Sequence, residues 1–165
     1  MQYSGKIDGN SDKEINVLKE PFEALVREMG MALIEFNVFR VKARKSSPPT
    51  VQVRVIVYKP GNMGTGDCSR VHYAILPRLE QEFPGHDFSV EVSTPGINRM
   101  AKDGIELNHY KGRGVRVWRT DTSCWLTGIL DSVDEHGITI RIKEGLIRLD
   151  YEIVAKAGLD PSQEE

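Results

Sequence analysis

Every second residue from Val51 to Val57 is valine: Val51, Val53, Val55 and Val57 alternate with Gln52, Arg54 and Ile56, ahead of Tyr58. Successive side chains of a strand point to opposite faces, so this segment requires a sheet covered on one side. Segments able to cover it lie before and after it. Ile15, Leu18, Phe22, Leu25 and Met29 recur at spacings of three and four, which predicts a helix over 13–29 with one apolar stripe. Asp12 is its expected N-cap and Gly30 its left-handed stop, while Pro21, inside the pattern, is expected to kink or restart it. A second stripe of Cys68, Val71, His72, Ile75, Leu76, Leu79 and Phe83 predicts a helix capped by Asp67, with Pro77 kinking it or ending it near Leu76.

Residues 31–44 carry Ile34, Phe36 and Val38 and then Arg40, Lys42 and Arg44 on one face of a strand. The Lys-Ser-Ser-Pro-Pro stretch at 45–49 is turn chemistry, so this strand and the valine strand are expected as an antiparallel hairpin. A third strand over 88–92 completes the order α-β-β-α-β, a two-layer α+β domain spanning 12–93. That strand runs into Ser93, Thr94, Pro95 and Gly96, where Pro95 suits the second position of a tight turn and Gly96 the positive φ after it. Residues 94–111 read as a linker, with Arg99 just past the corner and expected to reach back to the helix start at Asp67. From 112 to 160 short strands at 115–119, 125–131, 138–143, 146–149 and about 155–159 alternate with turn signals, which predicts a small antiparallel barrel. One helical turn is expected over 151–154, and the acidic tail 160–165 is expected to be disordered.

The function classes narrow quickly. In 165 residues, 39% apolar and 28% charged, no apolar run approaches the roughly 20 residues of a membrane span, and the start lacks the apolar core of a signal peptide. Only Cys68 and Cys124 are present, far apart, so a disulfide scaffold is not expected and a cytoplasmic protein is. Cys68 and His72 stand four apart on a helix, but on its apolar face, which reads as packing instead of a thiolate pair or metal site. His86, His109 and His136 are isolated. The loop at 61–66 lacks the Gly-Lys-Ser/Thr of a phosphate loop, and its GXXG at 61–64 joins a strand to a helix, unlike the helix–helix turn of a KH clamp. No catalytic residue, metal or cofactor is therefore expected.

A net charge of −2 excludes a uniformly basic nucleic-acid binder, so RNA contact has to come from local patches. Two are present. Arg40, Lys42 and Arg44, with Lys45 at the tip and Arg54 on the partner strand, form either a finger for phosphate oxygens or a hairpin end kept soluble by charge. Lys111, Arg113, Arg116 and Arg119 form the second, with Trp118 sharing a strand face with Arg116 to pack or to stack. The dull reading there is edge charge that blocks sheet extension.

Four segments in order carry a family resemblance. They are the proline-containing helix that ends at Gly30, the Asp67-Cys68 helix start with Leu79-Glu80 late in the same helix, the Ser93–Arg99 corner, and the run from Trp125 through Ile138–Ile142 to 153–161. Together they resemble the ribosome maturation factor RimP family, whose corner reads V-S-S-P-G-[LI]-[DE]-R-P-L. Asn98, Met100 and Ala101 depart from that corner, and His72 and Pro77 from the second helix. The resemblance implies a C-terminal barrel similar to Sm and SH3-like folds, with Asp67, Cys68, Ser93, Pro95, Gly96 and Arg99 as family-motif positions. It also implies a non-catalytic, monomeric cytoplasmic factor that binds the immature small (30S) ribosomal subunit and promotes its late maturation. The partners expected are rRNA and a ribosomal protein near the decoding region; a basic ribosomal tail would suit the barrel, with Asp131, Asp134 and Glu135 nearby. The alternative is a stand-alone Sm-like RNA-binding chaperone.

Overall fold

The computed structural model describes residues 13–14, 19–41, 48–61 and 63–164. Two compact units divide the chain, one ending at Pro95 and the other running from Gly96.

In the first unit, β1 (Lys13–Glu14), β2 (Ala32–Val41), β3 (Thr50–Tyr58) and β4 (Asp87–Ser93) form one sheet in that order. The β2–β3 pair is antiparallel, as the hairpin reading requires, and β3–β4 is parallel. Helix α2 (Thr65–Glu82) makes the crossover that parallel neighbours need. Val51, Val53, Val55 and Val57 are all fully buried and share one core with Phe22 and Val26 of α1 (Glu20–Glu28) and Val71, Ile75 and Leu79 of α2.

Three helix expectations change. The first helix starts at Glu20, with Pro21 in its first turn, where a missing N–H removes no intrahelical bond. Residues 13–14 instead pair with Arg40 and Phe39 of β2, and Asp12, Ile15 and Leu18 lie outside the described residues. Gly30 does take the left-handed conformation, with φ +78°. Helix α2 runs through Pro77 to Glu82 and does not stop near Leu76. Pro77 and Tyr73, the residue whose carbonyl loses its donor, are both exposed, so water can serve that carbonyl while the opposite face packs. The N-cap of α2 is Gly64, not Asp67; the Asp67 carboxylate accepts from the Gly64 N–H at 3.1 Å from inside the first turn.

The second unit holds a short helix α3 (Gly104–Asn108) and five antiparallel strands: β5 (Gly114–Arg119), β6 (Cys124–Val133), β7 (Gly137–Ile142), β8 (Gly145–Asp150) and β9 (Val154–Leu159). The sheet order is β8-β7-β6-β5-β9, and among the described residues no pairing joins β8 to β9. The sheet is thus not closed into the expected barrel. The outer side of β9 is already taken: Met100 bridges Gly158, and the Ala101 N–H donates to the Ala157 carbonyl at 2.7 Å. Gly158 is the residue this approach allows, since a Cβ there would meet the Arg99 carbonyl oxygen at 2.7 Å. Val115, Val117, Leu130, Ile138, Ile140, Leu149 and Ala157 are completely buried on the inner face. A single 3₁₀ turn at Tyr151–Ile153 matches the expected helical turn. The tail is ordered through Glu164, contrary to expectation, and forms a second 3₁₀ turn at Pro161–Gln163.

Candidate nucleic-acid interface

Of the first basic patch, Arg40 and Arg54 are among the described residues, and they lie on opposite faces of the sheet. Arg40 is exposed and lies opposite Val51, on the helix-covered side of the sheet. Arg54 lies opposite Asn37, one step out of phase, and so points from the other face. There it approaches Glu91 of β4 at 3.7 Å in an exposed ion pair. Lys42, Arg44 and Lys45 lie outside the described residues.

Arg99 also has a different role from the one expected. The hydrogen-bonded turn is Gly96–Arg99, closed by the Arg99 N–H on the Gly96 carbonyl at 3.0 Å, and Gly96 does not take a positive φ. Pro95 is half-buried and Ser93 ends β4 opposite Ile56. The Arg99 guanidinium grips Glu106 of α3 with both arms, Nε to Oε1 at 2.8 Å and NH2 to Oε2 at 3.1 Å. Glu106 is only 5% exposed, and it also accepts from the Tyr110 hydroxyl at 2.9 Å and the Lys102 N–H at 3.0 Å. Burial and the Glu106 charge push the Tyr110 hydroxyl pKa far up, so it remains a donor. Asp103 caps α3 by accepting from the Glu106 N–H at 2.8 Å.

Asp67 and Cys68 sit at the start of α2. The Gly64 N–H holds the Asp67 carboxyl below its usual range against the opposing effect of burial, aided by Lys59 and Arg70, each at 3.6 Å. Burial pushes the Cys68 thiol up and the Asp67 charge adds to it, the reverse of what a nucleophilic cysteine needs. Cys68 and His72 line a shallow groove with Tyr73 and Val90–Val92. Among the described residues, no three His, Cys, Asp or Glu side chains gather as a metal site.

Of the second patch, Arg116 joins a wider surface, while Arg113 and Arg119 are tied to acidic side chains. Lys111 is exposed ahead of β5. Arg113 donates to the Glu164 carboxylate at 2.6 Å, and the Gly114 N–H donates to the same oxygen at 3.0 Å. Those bonds hold the Glu164 carboxyl below the usual range. Arg119 is bound to Asp121 through 2.6 and 3.0 Å contacts. Arg116 donates to the Ile97 carbonyl at 3.1 Å, and its guanidinium lies 5.4 Å from the centre of the Trp125 ring. Trp118 meets Trp125 edge-on at 5.4 Å.

Register decides what joins them. Thr127 faces Arg116, Trp125 faces Trp118, Ile129 faces Arg141 and Trp118 faces Lys156. Arg116, Trp118, Trp125, Arg141 and Lys156 therefore occupy one side, the outer face of the second sheet. Leu146 lies opposite Arg141 on that face and is 62% exposed. Lys143 follows β7 and, with Arg141 and Trp125, lines a cleft of about 650 Å³ whose one acidic lining residue is Glu144. The sequence reading picked out Arg116 and Trp118 but missed Trp125, Arg141, Lys143 and Lys156 as parts of a surface. The alternation in Ile138-Thr139-Ile140-Arg141-Ile142 marks Arg141 as outward-facing, but only the pairing of β7 with β6 puts it beside the tryptophans.

A second cleft of about 470 Å³ lies beside α3, lined by Ile105, Asp134, Glu135 and Tyr151 among others. Asp134 accepts from Arg148 and from the backbone of His136 and Gly137, and these bonds hold its carboxyl far below the usual range. Asp131 is the extra residue where the β6–β7 register shifts.

The model of the RimP N-terminal domain matches residues 22–98, from within α1 through β4 to Asn98 in the corner. The "Ribosome maturation factor RimP" of Borrelia hermsii (strain HS1 / DAH) is 31% identical over 112 residues, 68% of this chain and 70% of that protein. This chain belongs to the RimP family. The match extends past the N-terminal domain: the RimP of Borrelia turicatae (strain 91E135) is 27% identical over 80% of this chain and 86% of its own length. That of Borrelia recurrentis (strain A1) is 25% identical over 79% and 85%. Among the described residues, no helix is long and apolar enough to cross a membrane.

Proposed function

We propose that this RimP-family chain is a non-catalytic assembly factor that binds the immature small (30S) ribosomal subunit in the cytoplasm and promotes its late maturation as a monomer. The observation that carries the reading is family membership, with relatives named ribosome maturation factors matching along most of the chain. The unit ending at Pro95 acts as the N-terminal domain, and the short antiparallel strands after it act as an Sm-like module, reached through the 94–111 segment. Basic side chains contact rRNA phosphates: Arg40, Lys42, Arg44, Lys45 and Arg54 in the first domain, Lys111, Arg113 and Arg116 in the second. A basic tail of a ribosomal protein near the decoding region fits the cleft of Ile105, Asp134 and Glu135, where acidic side chains and an exposed isoleucine lie together.

Sedimentation through gradients of varied salt tests this. The chain should travel with free small subunits, not with assembled ribosomes, and should dissociate as salt rises. Absence from the small subunit together with tight binding to short RNAs would favour the stand-alone RNA chaperone, a reading supported by the exposed Trp125.

A further inference from the structure

We propose that the outer face of the second sheet binds single-stranded RNA, with a base stacked on Trp125 and the backbone held by Arg141, Lys143 and Lys156. This deepens the maturation-factor reading and rests on it, since it names the RNA form and the surface.

The physical case starts with Trp125, which stays 45% exposed although Trp118 and Arg116 touch its ring. A large apolar ring left in water is unfavourable, and here it is not isolated. It lies on a face with Leu146, also exposed, and beside the cleft that Arg141 and Lys143 line. Arg116 and Trp118 buttress the indole, so its plane is fixed before a ligand arrives and little side-chain freedom is lost on binding. The charge balance selects the ligand. Arg116, Arg141, Lys143 and Lys156 are cationic, and Glu144 is the acidic residue of the cleft lining, so the surface suits a polyanion. A fixed indole adds what an acidic peptide does not use: every base has a π-face, and stacking on aromatic side chains tolerates any sequence. In a duplex those faces are hidden in the helix, so the strand must be single. Arg116 stacked against the indole adds a cation–π contribution on the protein's side of the site.

The test uses the full chain and a ten-nucleotide oligouridylate, which has no structure of its own, with tryptophan fluorescence and equilibrium binding as readouts. Quenching should accompany binding. Trp125→Ala should weaken binding about tenfold, the scale of one lost base stack, while Trp125→Phe, which keeps a stacking ring and controls for folding, should stay within about twofold. Replacing Arg141 and Lys143 with glutamine should make the dependence of log Kd on log salt shallower by about 1.4, for two released phosphate contacts at about 0.7 each. Equal binding by wild-type and Trp125→Ala chains overturns the proposal, as does equal affinity for a poly-glutamate peptide of the same charge. Trp125-dependent oligouridylate binding without co-sedimentation supports this surface and overturns the maturation reading. Co-sedimentation with no oligouridylate binding does the reverse.

Discussion

At the scale of single residues, the consequence of greatest weight concerns Arg99 and Glu106. A carboxylate this buried is costly unless its oxygens are matched, and here Oε1 accepts from Arg99 and Tyr110 while Oε2 accepts from Arg99 and the Lys102 N–H. Arg99 thus serves less to add stability in itself than to prevent an uncompensated charge. Arg99→Ala should destabilise the second unit by about 3 kcal/mol, because it leaves Glu106 buried and half-matched. Arg99→Met combined with Glu106→Gln should recover part of that loss, because the charge leaves together with its partner. Urea denaturation of the three chains measures both effects. The arginine beyond the Pro-Gly corner was legible in the sequence, but its partner was not. Glu106 stands seven residues on, and only the short helix α3 turns it back toward Arg99.

At the scale of elements, proline shows how position within a helix outweighs its presence. Pro21 and Pro77 looked alike in the sequence, each inside an apolar stripe. Pro21 falls in the first turn of α1, where no intrahelical bond is lost. Pro77 lies in the middle of α2, on the exposed side, next to Tyr73 at 73% exposure. Its helix survives because the contacts of Val71, Ile75, Leu79 and Phe83 on the opposite face outweigh one missing hydrogen bond. Pro77→Ala should therefore raise stability by about 2 kcal/mol, restoring a donor without disturbing the core. Thermal or urea unfolding of that variant gives the answer directly. The sheets show the complementary lesson. Alternation placed β3 and the β2–β3 hairpin accurately, but closure of the second sheet depended on a segment that reads as a linker. Met100 and Ala101 occupy the side of β9 that barrel closure would need, and no local pattern in those residues signals strand pairing.

At the scale of the whole molecule, a net charge of −2 has to be reconciled with the proposed affinity for RNA. Many of the acids are spent locally: Glu91 on Arg54, Asp121 on Arg119, Asp134 on Arg148 and Glu164 on Arg113. The outer face of the second sheet keeps its cations around the tryptophans. Because the positive charge is confined, duplex DNA should bind no tighter than about 10⁻⁴ M at physiological salt, the weak end of non-specific binding. Filter binding of a short duplex beside the oligouridylate checks this, and comparable affinity for the two would mean that charge alone governs. The sequence by itself determined the α+β class, the valine strand with its covering helices and the family, because each is written in local periodicity or a contiguous motif. The tertiary structure alone decided that Arg40 and Arg54 point from opposite faces, that Arg99 pairs with Glu106, and that Trp125, Arg141 and Lys156 share a surface with Arg116. Those relations depend on strand register and on which segments pair, and a register is set by the packing of a whole sheet, not by any residue within it.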